Sequence, residues 1–230
     1  MQLFYTNHKG AMALMRDKAR TKRKIEEAAI ILFNAKGYHG TSVRDIAQKA
    51  KVNVANISYY FRHKQGLLEA LITSYFERYL AILEEEVRQL THTPPIECFK
   101  RAVKEILLFH QENYLLTRLV MRELTVDSQV VREIIGTYMM KERFLFKQLV
   151  EPVFSTHHRA PMLTSMIIIQ LKGMLTTPFL NSQYLREVWY MLPQEGHFVD
   201  TYYHFIVQWI NGWKQSSSND RGLVPMTMTL

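Results

Sequence analysis

The sequence lacks the residues that mark several classes of protein. It has one cysteine, Cys98, among 230 residues, so no disulfide can form within the chain and a reducing compartment, the cytoplasm, is expected. Nine glycines and seven prolines are few for a turn-rich all-β chain. No apolar run approaches the roughly 18–20 residues of a membrane span, and residues 1–15 are too polar for a signal peptide. These absences favour a helical cytoplasmic protein that does not enter a membrane.

Catalytic patterns are missing as well. The sequence has neither a glycine-rich phosphate loop nor a Gly-x-Ser-x-Gly nucleophile turn. Cys98 has no evident histidine partner and is interpreted as a small packed apolar residue. His157 and His158 are a candidate metal pair, but two adjacent histidines in a loop are usually solvated. We therefore predict no enzymatic activity, no cofactor and no metal site.

The excess of positive charge is confined to the first third of the chain. The whole sequence has a formal net charge of +8. Residues 1–66 carry 13 lysines and arginines against 4 acidic residues, whereas residues 67–230 carry 16 against 17. A basic segment joined to a near-neutral body is typical of a module that binds a polyanion. A tail that only raises solubility is the alternative, which is weakened because this segment is patterned to fold.

The basic segment is patterned as three helices. Apolar residues at helical spacing predict a first helix over 17–36, with cations in its first turns and Gly37 as a left-handed C-cap. A second, short helix is predicted to start at Ser42 or at the threonine before it. Asn53 is a favourable N-cap for a third helix over 54–60. Two short helices joined by a tight turn are therefore expected.

The spacing of apolar residues in these two helices fits a helix-turn-helix. Ala47 is the small residue at which a second helix can cross closely, and Val52, Ile57 and Tyr60 follow it by five, ten and thirteen positions. The outer side of the second helix is then free to enter the major groove of DNA. Lys51 stands at a turn position where glycine is usual, and a left-handed conformation there costs roughly 1–2 kcal/mol. A three-helix bundle without a ligand is the alternative, which the charge asymmetry opposes.

Four stretches of this segment share one known pattern. They are Gly40 to Ala47 (GTSVRDIA), Val52 to Phe61 (VNVANISYYF), Lys64, and Leu67-Leu68. Together they resemble the TetR family of bacterial DNA-binding regulators. The resemblance implies an all-α fold, with an N-terminal helix-turn-helix domain and a larger C-terminal domain that dimerises or binds a ligand. It also implies double-stranded DNA as a partner.

The same resemblance implies roles for individual residues. Hydroxyl groups at the start of the second helix and Lys64 at the start of the fourth would contact phosphates, and the exposed side of the third helix would contact bases. Asn56 is best suited to read a base, since an amide can form two hydrogen bonds with adenine; a water-facing polar role is the alternative. The predicted DNA-binding residues are Thr41, Ser42, Arg44, Asn53, Val54, Ala55, Asn56, Ser58, Tyr59, Tyr60 and Lys64.

The domain organisation is predicted from these patterns. We expect a flexible extension over residues 1–15, a DNA-binding domain over 16–66, a helical regulatory and dimerisation domain over 67–214, and a disordered tail over 215–230. Further helices are expected throughout the third of these segments.

Two features of the regulatory domain have alternative interpretations. Its helical pattern is interrupted at Pro178 and between residues 183 and 196. Arg118, Arg122 and Glu123 share one predicted helix and are interpreted as a surface ion-pair cluster of little energetic weight. A patch that contacts another protein is the alternative for these three residues.

The last two apolar helices, over residues 161–175 and 197–213, are the predicted dimer interface. In the TetR family such helices from two subunits form a four-helix bundle, and a two-fold dimer implies an inverted-repeat operator. Residues that only fill the core of one subunit are the alternative. The predicted interface residues are Met166, Ile168, Tyr202, Phe205, Trp209 and Trp213.

A narrower resemblance comes from runs at residues 53–61, 119–128, 138–142 and 169–178. They are similar to a TetR-family regulator of spore-forming bacilli that acts in division-ring placement and chromosome capture. The resemblance implies palindromic chromosomal sites, association with the nucleoid and a cell-division protein as a partner. A small-molecule-responsive repressor of a nearby gene is the alternative. A helical enzyme or scaffold with a basic end is a third interpretation, which the helix-turn-helix spacing opposes.

Overall fold

The computed structural model describes residues 2–125, 129–154 and 161–219. Within these ranges the chain forms ten helices and no strand, so the predicted all-α class is confirmed. The helices are α1 (Gln2–Lys36), α2 (Val43–Ala50), α3 (Val54–Phe61), α4 (Lys64–Gln89), α5 (Pro95–Glu112), α6 (Tyr114–Thr125), α7 (Gln129–Phe154), α8 (Pro161–Leu180), α9 (Ser182–Trp189) and α10 (Gly196–Asn219).

Local sequence signals set the ends of the first three helices. Gly37 has a φ of 75°, as expected for a left-handed C-cap after α1. The Ser42 hydroxyl accepts a hydrogen bond from the Asp45 backbone N–H at 3.1 Å, and the Asp45 carboxylate accepts one from the Ser42 N–H at 2.9 Å. Asn53 Oδ1 accepts from the Ala55 N–H at 2.8 Å and caps α3. The two predicted caps are therefore confirmed.

The turn between α2 and α3 is tight. Lys51 adopts the left-handed conformation with φ 56° and ψ 47°, and its backbone N–H bonds to carbonyls in the last turn of α2. The chain thus accepts the conformational cost of a non-glycine residue at this position.

The first helix begins earlier than the sequence indicates. It starts at Gln2, so the residues that we expected to form a flexible extension belong to a 35-residue helix. The cations between Arg16 and Lys24 consequently lie far from the helix N-terminus, and the dipole effect expected from placing them in the first turns does not apply. At the other end of the chain, α10 continues to Asn219, beyond the expected start of a disordered tail. Residues 220–230 lie outside the described residues.

The interruptions predicted in the regulatory domain are confirmed only in part. Pro178 lies inside the last turns of α8, although proline cannot donate the helical hydrogen bond to the residue four positions earlier. That acceptor, the Met174 carbonyl, instead receives a hydrogen bond from the Tyr202 hydroxyl at 3.1 Å. Of the stretch between residues 183 and 196 that we expected to interrupt the helices, residues 183–189 belong to α9, which ends at Tyr190 with a left-handed φ of 52°, and residues 190–195 lie between α9 and α10 as expected.

The helices group into two compact units. The first comprises residues 1–76 and 115–134, and the second comprises residues 77–114 and 135–230. This grouping places α6 with the first three helices, unlike the domain boundaries predicted from sequence.

Each unit has its own apolar core. In the first unit, α1 packs on α2 and α2 on α3, and the core contains Ile25, Phe33, Ile46, Ile57 and Phe61. In the second, α5 packs on α8 and on α10, and the core contains Phe99, Ile106, Phe146, Leu171, Phe179 and Ile210.

One stretch of the described chain, Met162–Leu180, is long and apolar enough to cross a membrane by length and composition. No such stretch was expected from the sequence. A helix packed in a protein core meets the same criteria, and Ile167, Leu171 and Phe179 of this stretch are buried within the second unit. The finding is therefore weak evidence for a membrane span.

Candidate nucleic-acid interface

Helix α3 has one buried and one exposed side. Ile57 and Phe61 are buried, whereas Ala55, Ser58 and Tyr59 are exposed, and Tyr59 keeps 67% of its surface accessible. The Tyr60 ring is half-buried and packs edge-to-face on the Tyr59 ring, with centroids 4.9 Å apart. Val54 is exposed and Asn56 is half-buried. The helix therefore presents small side chains and a projecting tyrosine to its surroundings.

The start of α2 presents an exposed arginine beside a capped helix end. Arg44 is exposed, and Ser42 is exposed but already bonded to Asp45 in the capping box. The two hydrogen bonds from the backbone and hydroxyl of Ser42 lower the pKa of Asp45. With the cap formed, the Ser42 hydroxyl already donates its proton to the Asp45 carboxylate, so the group at this end that could hold a phosphate is the Arg44 guanidinium.

Thr41 does not lie where a phosphate could reach it. Its side chain is 1% exposed, and its hydroxyl lies 2.8 Å from the Gly37 carbonyl and 3.3 Å from that of Leu32. The predicted phosphate contact through this side chain is therefore corrected: Thr41 satisfies carbonyls where α1 ends.

Lys64 also serves the fold. Its ammonium donates hydrogen bonds of 2.8 Å to the carbonyls of Tyr38 and Thr41, and it lies 4.3 Å from the centroid of the Tyr38 ring. The lysine thus ties the start of α4 to the loop between α1 and α2. The resemblance implies a phosphate contact for this lysine; two of its three N–H donors are used internally, and the phosphate contact stays a prediction.

Helix α6 is bonded to the end of α1, which the sequence analysis did not anticipate. Arg122 donates to the Phe33 carbonyl at 2.8 Å, and the Asn34 side-chain amide donates to the Leu115 carbonyl at 2.8 Å. The partners are more than eighty residues apart, so no local pattern could reveal them. Arg122 also lies 3.6 Å from the buried Glu123 carboxylate, so this pair is not the surface cluster that we expected.

The predicted dimer residues divide into two groups. Met166 and Phe205 are exposed, at 46% and 63%, and Ile169, which we did not select, is 68% exposed. Ile168 is buried within its own subunit, and Tyr202 bonds Met174 within its own subunit. The exposed apolar side chains available to a partner are therefore Met166, Ile169 and Phe205, whereas Ile168 belongs to the subunit core and Tyr202 is half-buried.

The two tryptophans selected for the interface are half-buried. Trp209 and Trp213 pack on each other with ring centroids 6.4 Å apart. Each thus has one side within the subunit and part of its surface open.

A buried polar cluster joins four helices of the second unit. Glu142 accepts hydrogen bonds from the Tyr79 hydroxyl at 2.7 Å and from the Lys172 ammonium at 2.5 Å. The Tyr79 ring stacks on the imidazole of His110, whose Nδ1 is 3.1 Å from the Leu175 carbonyl. Full burial lowers the pKa of His110 to about 4, and the bond to this carbonyl opposes the shift only partly. His110 is therefore neutral at physiological pH.

The part of the chain that the structure describes contains no group of three or more histidine, cysteine or acidic residues placed to hold a metal ion. His157 and His158, the metal pair considered from sequence, lie outside the described residues.

Helix α3 is short and exposed on one side, and the capped helix α2 holds it in place beside exposed cations. This arrangement defines a DNA-binding protein of the helix-turn-helix class.

Comparisons with known proteins narrow this class. The family described as "Bacterial regulatory proteins, tetR family" matches residues 25–71. The probable HTH-type transcriptional regulator YttP of Bacillus subtilis (strain 168) is 42% identical over 193 residues, 84% of this chain and 93% of that protein. The chain therefore belongs to the TetR family of bacterial regulators.

Solved structures share the fold. A putative fatty acid metabolism regulator of Clostridium perfringens has a TM-score of 0.68 at 23% identity, over 81% of this chain and 96% of that one. AibR, solved in complex with isovaleryl coenzyme A and operator DNA, has a TM-score of 0.63 at 15% identity, over 82% of this chain and 97% of that one. Regulators of this family bind DNA as dimers.

Proposed function

We propose that the protein is a cytoplasmic homodimer that binds inverted-repeat DNA through α3 of each subunit. The observation that carries this proposal is the two-sided α3, which buries Ile57 and Phe61 and leaves Ala55, Ser58 and Tyr59 exposed. A two-fold dimer places two such helices on one side of the duplex. Half-sites should then lie about one helical turn, or a multiple of it, apart.

Base reading is assigned to Tyr59 and Asn56. Tyr59 projects furthest from α3, and the Asn56 amide is the group on this helix that can pair with adenine. Arg44 and the backbone at the start of α2 are assigned to phosphates, which position the protein without reading sequence.

Variants of α3 test these assignments. In Tyr59→Ala and Asn56→Ala, the free energy of binding to the operator should become less favourable by roughly 1–3 kcal/mol per lost base contact. Binding to random duplex should change little. Arg44→Ala should weaken both kinds of binding alike. Gln183→Ala, an exposed change on α9, is the control. Unchanged discrimination among operator variants in Asn56→Ala would refute its assignment as a base reader.

Within the family, we propose a role like that of RefZ, the regulator of division-ring placement and chromosome capture in spore-forming bacilli. The support is the resemblance of the runs at residues 53–61, 119–128, 138–142 and 169–178. In this role the protein binds a few dispersed palindromes on the nucleoid and contacts a cell-division protein.

A ligand-responsive repressor is the second candidate. It is favoured by the two hydrogen bonds that attach α6 to the end of α1, because a shift of α6 would then move the DNA-binding helices. AibR, which shares the fold, was solved with isovaleryl coenzyme A and operator DNA. Release of operator DNA on titration with acyl-coenzyme A would support this candidate.

Mapping the bound sites across the genome separates the two candidates. Several dispersed palindromes around the replication origin, with misplaced division rings in a deletion strain, are expected for the RefZ-like role. One site in a neighbouring promoter, with derepression of that gene on deletion, is the outcome expected for a local repressor.

A further inference from the structure

Helix α9 has one apolar side and one polar side. Its apolar side chains recur at helical spacing and therefore share one side: Tyr184, Leu185, Val188 and Trp189. Gln183, Arg186 and Glu187 lie on the opposite side. A helix patterned in this way normally packs its apolar side against other apolar side chains.

The apolar side of α9 is open to the surroundings in the single subunit. Tyr184, Val188 and Trp189 are all exposed, and Trp189 keeps 57% of its surface accessible. Leu185 is half-buried, and the buried residue of this helix is the polar Ser182. Because helices shorter than about 12–15 residues are marginal in water without packing, an eight-residue helix needs a cover for its apolar side. One subunit does not supply that cover.

Hydrogen bonds on both sides of α9 hold it in this exposed position. The Tyr114 hydroxyl donates to the Ser182 hydroxyl at 2.6 Å, and the Gln111 side-chain amide donates to the Glu195 carbonyl at 2.6 Å. Tyr190, which follows the last turn, is left-handed and 88% exposed, so its conformation costs roughly 1–2 kcal/mol without placing its ring in the subunit core. The segment is therefore held in a fixed geometry, which lowers the entropic cost of binding a partner.

The exposed apolar residues in and after α9 begin where the exposed side of α8 ends. We call the following five exposed side chains the α9 patch: Tyr184, Val188, Trp189, Tyr190 and Met191. A single residue, Asn181, separates α9 from α8. Exposed residues of α8 recur every three or four positions up to its last residue: Met162, Met166, Ile169, Gly173, Thr177 and Leu180. The patch thus continues the surface of α8 that we assign to the subunit interface.

The α9 patch also supplies apolar area that a stable interface needs. A stable interface buries about 800 Å² on each partner around an apolar centre, and the assigned surface of α8 and α10 offers three large exposed apolar side chains for that centre. Tyr184, Trp189 and Tyr190 are 55%, 57% and 88% exposed. At about 150–250 Å² per aromatic side chain, they add about 300–500 Å².

The charges beside the patch favour a protein over a polyanion or a membrane. The Arg186 guanidinium lies 3.2 Å from the Glu187 carboxylate, so the cation of α9 is paired. Nucleic acids and anionic membranes are bound through groups of lysines and arginines. The centres of protein interfaces are instead poor in charge and rich in tyrosine, tryptophan and methionine, as this patch is.

We propose that the α9 patch docks on a second copy of this chain and extends the subunit interface beyond α8 and α10. The inference rests on the proposed homodimer, and it adds a segment that was expected from sequence to interrupt the helices. A two-fold dimer contains the patch twice, so each substitution in it acts twice. Trp189 and Tyr190 are the anchors of this contact, since large aromatic side chains carry most of the energy of an interface.

Two substitutions on opposite sides of α9 test the proposal. Val188→Lys places a charge on the apolar side, and Gln183→Lys places the same charge on the polar side. Both positions are exposed within the subunit, so neither change disturbs its core, and lysine is a good helix former. The dissociation constant of the dimer is measured by sedimentation equilibrium.

The two variants should differ in dimerisation. In Val188→Lys the dissociation constant should rise by about tenfold or more, because the dimer must bury two new charges. Gln183→Lys should keep the wild-type constant. Equal constants in the two variants would overturn the proposal. Equal constants together with a loss of cellular function in Val188→Lys alone would assign the patch to a different protein.

A second measurement uses the wild-type protein in the absence of DNA. Hydroxyl radicals oxidise accessible side chains, and the oxidation rates of two tyrosines are compared. Tyr190 is 88% exposed in the subunit and Tyr59, in the first unit, is 67% exposed. If a second copy covers the patch, Tyr190 should be oxidised more slowly than Tyr59, whereas an equal or faster rate at Tyr190 would contradict the contact. A monomeric wild-type protein would refute the proposed homodimer, whereas a dimer with a fully reactive Tyr190 would refute only the contact through α9.

Discussion

The two units differ in the surface that each leaves open. Around α1 and α3 the exposed residues include the cations between Arg16 and Lys24, the small side chains of Ala55 and Ser58, and Tyr59. Along α8 and α10 they are large apolar side chains, including Met162, Met166, Ile169 and Phe205. The first surface suits a hydrated polyanion, whereas the second suits an apolar surface, such as another copy of itself. The two surfaces of one chain therefore suit two partners of different chemistry.

The units also differ in how they satisfy buried polar groups. In the first, Thr41 and Lys64 bond to backbone carbonyls, which fixes the course of the chain around the recognition helix. In the second, His110 and Tyr202 also bond to carbonyls, those of Leu175 and Met174, and Glu142 is held by the side chains of Tyr79 and Lys172. The second unit thus adds a bonded pair of oppositely charged side chains, Glu142 and Lys172, to the carbonyl bonds that both units use.

The largest effect is expected from a charge introduced into the exposed apolar side chains of the second unit, which should prevent dimerisation. Phe205→Glu places a charge where a partner subunit would cover it, at a cost of several kcal/mol. The variant should sediment as a monomer at micromolar concentration and lose operator affinity, since one half-site binds weakly. Gln183→Glu, on an exposed side of α9, should stay dimeric. A monomeric wild-type protein that still binds an inverted repeat tightly would refute the assigned interface.

The second largest effect is expected from acid, which should lower the free energy of unfolding through the buried His110 of the second unit. The pKa of His110 in the folded state is about 4, below its ordinary value of 6.5, because burial disfavours the charged ring. The folded state then binds fewer protons than the unfolded state, so the free energy of unfolding should fall by about 3 kcal/mol between pH 6.5 and 4. His110→Gln should flatten this dependence in urea titrations at several pH values.

The control for this acid response is Gln183→Ala, an exposed change on α9 that alters no titratable group and should keep the wild-type pH dependence. A wild-type pH dependence in His110→Gln as well would contradict the role assigned to His110.

A variant of Lys64 tests the carbonyl bonds of the first unit. Lys64→Met keeps an apolar stem but leaves the Tyr38 and Thr41 carbonyls without the ammonium donor. Stability measured by urea unfolding should fall by about 2 kcal/mol. Lys49→Met, an exposed change on α2, should be nearly neutral. An equal, small effect of both changes, with weaker DNA binding only in the first, would restore the phosphate contact predicted from sequence.

The smallest expected effect concerns the turn of the helix-turn-helix. Lys51→Gly removes the conformational cost of a lysine in the left-handed region and should raise the free energy of unfolding by about 1 kcal/mol. Lys49→Gly, within α2, should lower it by a similar amount because glycine is a poor helix former. Calorimetry of the two variants measures both changes. If the free energy of unfolding changed in the same direction in both, the conformational cost assigned to Lys51 would be refuted.

What the sequence predicted correctly is local in origin. The caps at Ser42 and Asn53 and the left-handed Gly37 depend on neighbours within three or four residues, so their patterns are visible in the sequence. The exposed side of α3 follows from helical periodicity, which also needs no distant partner.

Several features that the sequence did not reveal involve distant partners. The internal hydrogen bonds of Lys64 were not predicted because its carbonyl acceptors lie 23 and 26 residues away. Pro178 was expected to end a helix, since nothing nearby indicates that Tyr202 would bond the carbonyl it leaves free. Ile168 and Ile169 are adjacent and equally apolar, and only the packing of α8 decides which one is exposed.

The attachment of α6 to α1 has a consequence for how the chain folds. The hydrogen bonds between Asn34 and Leu115 and between Arg122 and Phe33 span 81 and 89 residues. Contacts of such sequence separation form late, because a long loop must close first. During synthesis the N-terminal unit can complete itself only after α6 has left the ribosome, when α4 and α5 already exist. The helices therefore do not pack in the order in which they are synthesised. A nascent chain halted before α6 would leave the end of α1 exposed to chaperones.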